Sequence, residues 1–84
     1  MIEVHYFASI RERLGCDMEL LATPSALATV NEVIDALVQK HGEPWSKVLC
    51  EGRVLAAVNQ LVSELNAPVK DGDEVAFFPP VTGG

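Results

Sequence analysis

Basic residues are scarce in this chain: six Lys and Arg stand against twelve Asp and Glu in 84 residues, for a formal charge of −6. Neutralising phosphates requires clustered cations, so nucleic-acid binding is excluded as its main task. An acidic surface suits solubility or a partner with a basic face. Long apolar runs are missing too. None approaches the roughly 18 residues of a membrane span, and the N-terminus lacks a basic flank leading into an apolar core. The expectation is a soluble, cytoplasmic domain with no membrane partner. Cysteine is limited to Cys16 and Cys50. They lie far apart and outside any C-x-x-C pair, which argues against a disulfide framework and for two reduced, buried or semi-buried thiols. No G-x-x-x-x-G-K-[ST] or G-x-G-x-x-G loop is present to cradle nucleotide phosphates. His5 and His41 fall on different predicted elements, without linear ligand spacing to Cys or carboxylates, and give no metal set. His5 reads as a solvent-facing strand residue and His41 as a charge near a helix C-terminus. Asp71, Asp73 and Glu74 lack the twelve-residue calcium-loop spacing and read as a turn. Glu51, Glu64 and the other acids form no pair suited to acid–base catalysis.

What the chain does have is an apolar fraction of 49%, enough for a single small core. Met1 to Phe7 alternates, with Ile2, Val4 and Tyr6 on one face and Glu3, His5 and Phe7 on the other, the period of a half-buried strand. Ser9 and Glu12 fit a capping box for a short helix through Ile10, Arg13 and Leu14, ending at Gly15. Met18 and Leu20 alternate with Asp17 and Glu19, which suggests a second strand over Asp17 to Ala22. Thr29 and Glu32 form another capping box. Val30, Val33, Ile34, Leu37 and Val38 then follow at i, i+3, i+4, i+7 and i+8, which predicts the principal helix, ending near His41 and Gly42. Pro44 opens a further short helix that turns Trp45, Val48 and Leu49 inward and closes at Gly52. Strands are expected from Val54 to Asn59, near Leu61 to Ser63, and from Glu74 to Phe78 after the Asp71-Gly72-Asp73 turn. This order predicts an α+β domain over residues 1–78. A mixed sheet of four or five strands packs on one main helix plus short helices, the β-grasp or ubiquitin-like plan, with the first and last strands adjacent.

Residues 79–84 form an extended tail: Pro79, Pro80, Val81, Thr82, Gly83 and Gly84. Proline fixes its own φ and holds the preceding residue extended, so Phe78 to Pro80 leave the domain as a stiff rod. Glycine passes where a Cβ would not fit. Fully extended, the tail reaches roughly 20 Å. One reading is a carboxylate presented on a stalk to another protein's active site; the other is a disordered tail without chemistry. The rigid aromatic–proline lead-in favours the first. Phe7 and Phe78 both fall on the strand faces opposite the core. They form either a partner-docking patch or a surface covered by a loop of the same chain.

The ending D-G-D-E-V-A-F-F-P-P-V-T-G-G (Asp71 to Gly84) resembles that of the small subunits of molybdopterin synthase, the sulfur carriers of molybdenum-cofactor biosynthesis. The opening Ile2-Glu3-Val4 through Phe7-Ala8 and the segment Leu55-Ala56-Ala57-Val58-Asn59-Gln60 extend the likeness along the whole chain. A bare glycine pair is shared with ubiquitin and with the thiamine sulfur carrier, whereas F-F-P-P-V-T-G-G separates this family from them. The resemblance implies that an ATP-using adenylating enzyme activates the Gly84 carboxylate. Sulfide from a persulfide then displaces AMP to leave a thiocarboxylate. The synthase large subunit receives Gly83-Gly84 in its pocket within a heterotetramer, and the sulfur attacks cyclic pyranopterin monophosphate. Phe7 and Phe78 match family docking positions, with Val62 or Leu61 beside them. On this reading the chain binds no cofactor and is not catalytic alone; it is the sulfur-donating part of a sulfurtransferase. The alternative is a ubiquitin-like carrier or modifier of another pathway, such as thiamine synthesis or tRNA thiolation.

Overall fold

The computed structural model describes residues 1–22, 29–51 and 54–80. Five strands form one mixed sheet: β1 (Ile2–Tyr6), β2 (Met18–Leu21), β3 (Leu55–Val58), β4 (Leu61–Ser63) and β5 (Glu74–Phe78). Their spatial order is β2-β1-β5-β3-β4. The outermost segments of the sequence, β1 and β5, are neighbours at the centre and run parallel, as expected; the other pairings are antiparallel. Two helices lie between strands: α1 (Ala8–Leu14) after β1, and α2 (Val30–His41) after β2.

The inner face of the sheet and α2 share one core. Ile2, Val4 and Tyr6 of β1 and Val75 and Phe77 of β5 are buried together with Val30, Val33, Ile34 and Leu37 of α2. Each such side chain taken from water stabilises by about 1.5–3 kcal/mol. The start of α2 is fixed as the sequence indicates. The Glu32 backbone N–H donates to Thr29 Oγ1 at 3.3 Å, and the Thr29 hydroxyl reaches Glu32 Oε1 at 3.3 Å. Its end is set by Gly42 at φ +69°, whose N–H donates to the Val38 carbonyl at 2.7 Å.

Three elements differ from expectation. Helix α1 begins two residues earlier than a Ser9–Glu12 box would require. Its N-cap is Phe7, with no side-chain capping bond. The sheet dictates this: the Phe7 N–H donates to the Phe77 carbonyl at 3.1 Å, and its own carbonyl accepts from Ile10 and Arg11 N–H at 3.2 and 3.3 Å. After α2, Val48 and Leu49 are buried and Trp45 packs on the core as expected. The segment Lys47–Glu51, however, is a π-helical turn rather than an ordinary helix, and Gly52 lies outside the described residues. In β2 the inward side chains are Glu19 and Leu21, because Glu19 pairs with Val4 and Leu21 with Ile2; Met18 and Leu20 face outward.

Strands β3 and β4 are joined by Asn59 and Gln60, both at positive φ (+50° and +70°), the geometry of a two-residue type I′ turn. Asn59 also ties this hairpin to β5. Its N–H donates to the Glu74 carbonyl at 2.8 Å, and its Oδ1 accepts the Glu74 N–H at 3.0 Å. Its Nδ2 donates to the buried Asp73 carboxylate at 3.1 Å.

Candidate docking face and tail base

The strand register arranges the outer face of the sheet in rows. Met18, His5, Ala76, Ala57 and Val62 lie side by side across all five strands. Phe78 pairs with Leu55, and Phe7 follows the Tyr6–Phe77 pair, which brings Phe7 alongside Phe78. Ala57 and Ala76 are each only 7% exposed and form a floor, whereas Phe7 (45%), Leu55 (40%), Met18 (39%), Leu20 (51%) and Val62 (75%) stand exposed around it. A lone soluble domain gains nothing from so much apolar surface on one face, and such patches mark binding sites. Leu61 is exposed as well (72%), but it pairs with Val58 and points with the other phase of β4.

Phe7 is held by its surroundings. Its ring stacks on His5 with centroids 6.2 Å apart and planes at 11°. The next residue, Ala8, sits at φ +53°. That left-handed conformation costs a non-glycine residue about 1 kcal/mol or more, and it turns the chain from β1 into α1 directly beside Phe78. Central strand β5 ends at Phe78, where Pro79 and Pro80 continue, half-buried. The predicted tail residues Val81, Thr82, Gly83 and Gly84 lie outside the described residues. A cleft of about 380 Å³ lined by Val58, Leu61, Ala67, Val69, Lys70 and Asp73 lies at the opposite end of β5, away from the tail.

A second polar cluster was not legible in the sequence. Glu19, on the inward side of β2, receives the Tyr6 hydroxyl at 2.8 Å, Lys40 Nζ at 3.1 Å and His41 Nε2 at 2.8 Å. Trp45 Nε1 donates to the Tyr6 oxygen at 3.0 Å, and the His41 ring stacks on Trp45 at 3.9 Å. His41 is thus a partner in a packed cluster rather than a free helix-end charge. Burial alone would raise the Glu19 pKa; the hydrogen bonds from His41, Tyr6 and Lys40 overcome this and hold it below the usual carboxylate range. Burial pushes the Tyr6 phenol well above its ordinary value, with the Trp45 donor opposing and Glu19 reinforcing the shift. The cluster fastens β1 and β2 to the end of α2 on the side away from the docking face. Of the two thiols, Cys16 is half-buried but Cys50 is exposed, contrary to expectation: it belongs to the π-helical turn, whose inward positions are filled by Val48 and Leu49.

The fold is that of a ubiquitin-like β-grasp domain whose sheet leaves an apolar outer face open beside the end of its central strand. The chain belongs to the ThiS family, whose model matches residues 4–84. It is 44% identical to the molybdopterin synthase sulfur carrier subunit of Haemophilus influenzae, across the full length of both chains. Among solved structures it is similar to SAMP1 from Haloferax volcanii, with TM-score 0.76, 30% identity, and 99% of this chain and 98% of that one covered. It is also similar to a chain in the protein–protein complex of subunits 1 and 2 of molybdopterin-converting factor from Helicobacter pylori, with TM-score 0.63, 27% identity, and 99% and 97% covered.

Proposed function

We propose that this chain is the sulfur-carrier subunit of a molybdopterin synthase and that its sulfur is carried on the Gly84 carboxylate. The observation that carries the reading is that the sequence F-F-P-P-V-T-G-G begins within the central strand, beside an apolar sheet face, in a chain similar over its whole length to such carriers. An adenylating enzyme transfers AMP from ATP to the Gly84 carboxylate and releases pyrophosphate. The terminal sulfur of a donor persulfide attacks the acyl carbon and AMP leaves, giving an acyl disulfide. A second thiol then attacks the donor's sulfur, forming a disulfide with it and releasing the thiocarboxylate. The outer face, with Phe7, Phe78 and Val62, docks on the synthase large subunit, while Pro79 to Gly84 thread into its pocket. There the sulfur attacks cyclic pyranopterin monophosphate, and two rounds build the dithiolene. The prolines reduce the entropy lost on threading, and no side chain on Gly83 or Gly84 screens the reacting carbonyl.

Intact-mass measurement after incubation with the adenylating enzyme, ATP and a sulfur source tests the reading. One oxygen-for-sulfur replacement is expected, mapping to the C-terminal peptide. Deleting Gly84, or appending one residue after it, moves the carboxylate by about 3.5 Å. A misplacement of 1 Å can already cost about a hundredfold, so both changes should abolish dithiolene formation without unfolding the domain. Sulfur found on Cys16 or Cys50, or activity in the deletion variant, would overturn the assignment. The likeness to SAMP1 motivates a second reading, a protein modifier; isopeptide adducts on lysines, in place of a thiocarboxylate, would favour it.

A further inference from the structure

On the outer face, β1 and β5 set Glu3 directly beside Glu74. Like charges opposed on neighbouring strands repel and destabilise the pair, and these are the two central strands of the sheet. His5 follows on the same face, and its Nε2 lies 2.8 Å from Glu3 Oε1. One donor atom from each of Glu3, His5 and Glu74 falls within 4.8 Å of the others. We propose that these three side chains form a binding site for a divalent transition-metal ion of the Zn²⁺ class, in the face that also carries Phe7 and Phe78.

The donor chemistry selects the ion. Two carboxylates and a neutral imidazole balance a 2+ charge and remove the Glu3–Glu74 repulsion. An imidazole nitrogen with two oxygens suits Zn²⁺, whereas Mg²⁺ and Ca²⁺ prefer all-oxygen shells. Three protein ligands leave a fourth position for water. Bond lengths of 2.0–2.2 Å place tetrahedral ligand atoms roughly 3.3–3.6 Å apart. The hydrogen-bonded His5–Glu3 donors, now 2.8 Å apart, must part by roughly half an ångström, and any separation near the 4.8 Å limit must close by roughly an ångström or slightly more, both within reach of the rotatable bonds of glutamate. The scaffold is firm where it must be. The Phe7 ring lies nearly parallel to the His5 imidazole, with centroids 6.2 Å apart, and limits its rotation from one side. Asn59 holds the Glu74 backbone from both its N–H and its carbonyl. Glu3 is exposed and His5 and Glu74 half-buried, leaving an open path from solvent. Linear spacing conceals the set because Glu74 arrives only through the β1–β5 pairing.

The test is titration of the full chain with Zn²⁺ alone, by calorimetry and by competition with a chromophoric chelator. Expected is one ion per chain, weakened at least about tenfold by His5→Ala and by Glu74→Gln and unchanged in a Cys16→Ser/Cys50→Ser variant. Zn²⁺ should raise the melting temperature of the parent chain but not of Glu74→Gln. Co²⁺ should give a d–d spectrum without a thiolate charge-transfer band. Circular dichroism establishes that each variant is folded, and Glu3→Gln supplies a third independent ligand change. Absence of binding, binding that survives all three substitutions, or binding that disappears with the cysteines or with His41→Ala would overturn the site.

Discussion

Tyr6 and Phe7 are adjacent aromatic residues with opposite fates: Tyr6 is 1% exposed and Phe7 45%. The same holds one strand over, where Phe77 is fully buried and Phe78 half-exposed. Both faces of the central strands carry aromatic side chains, yet only the inner one is covered by α2. Apolar character in a strand therefore records two different demands. Inner side chains hold the domain together; on the proposed function the outer ones serve its recognition. Substitutions that separate stability from docking test this division.

The sharpest break is expected on the inner face. Phe77→Ala empties the centre of the core and should lower the unfolding free energy by about 3–5 kcal/mol, a large part of the roughly 5–15 kcal/mol that a domain possesses. Urea unfolding measures it. A loss below about 1 kcal/mol would mean that the core can collapse around the gap and that the inner face is less demanding than its burial implies.

The outer face should behave oppositely. Phe7→Ala and Phe78→Ala should each weaken binding to the synthase large subunit by about 1–3 kcal/mol, while shifting the stability of the isolated chain by no more than about 0.5 kcal/mol. Val62→Ala, at the rim, should have a smaller effect on binding. Calorimetry of the heteromeric complex beside thermal melts of each variant checks the pair of outcomes. If the phenylalanine variants unfold, the face belongs to the fold and the comparison fails.

How much of this was legible depends on how local each cause is. Helix α2 was readable because its cap and its stripe lie within a few residues of each other, Thr29 with Glu32 and Val30 through Leu37. The adjacency of β1 and β5 followed from their being the most apolar strands, and the opposite faces of Phe7 and Phe77 from simple alternation. The start of α1 was misread because a backbone bond to Phe77, far away in sequence, outweighs the Ser9–Glu12 pattern. Nothing local gives Glu19, a charged residue alternating with Met18 and Leu20, a reason to face inward. Only the arrival of Tyr6, Lys40, His41 and Trp45 from three other parts of the chain makes an inward carboxylate tolerable. The closeness of Glu74 to His5 is likewise a product of register, invisible until the strands are paired.

Glu19 gives the smallest effect and the most discriminating one, since it is the charged exception on the inner side. Its carboxylate accepts from Tyr6, Lys40 and His41, which holds its folded pKa below the unfolded value. A depressed carboxylate pKa means that the unfolded chain takes up the proton first as pH falls. The stabilisation is therefore fully present above the unfolded value of about 4.3 and is lost as pH drops through the folded one. Glu19→Gln keeps the shape and one acceptor oxygen but removes the charge, and should cost about 1–2 kcal/mol at neutral pH. The difference between parent and variant should then shrink as both are acidified, because the parent loses the same charge by protonation. Urea midpoints of the two proteins, followed from pH 7 downward, measure this convergence. A difference that stays constant through the acid range would show that the inward position is held by packing of the Tyr6–Trp45–His41 rings, with the carboxylate charge contributing nothing.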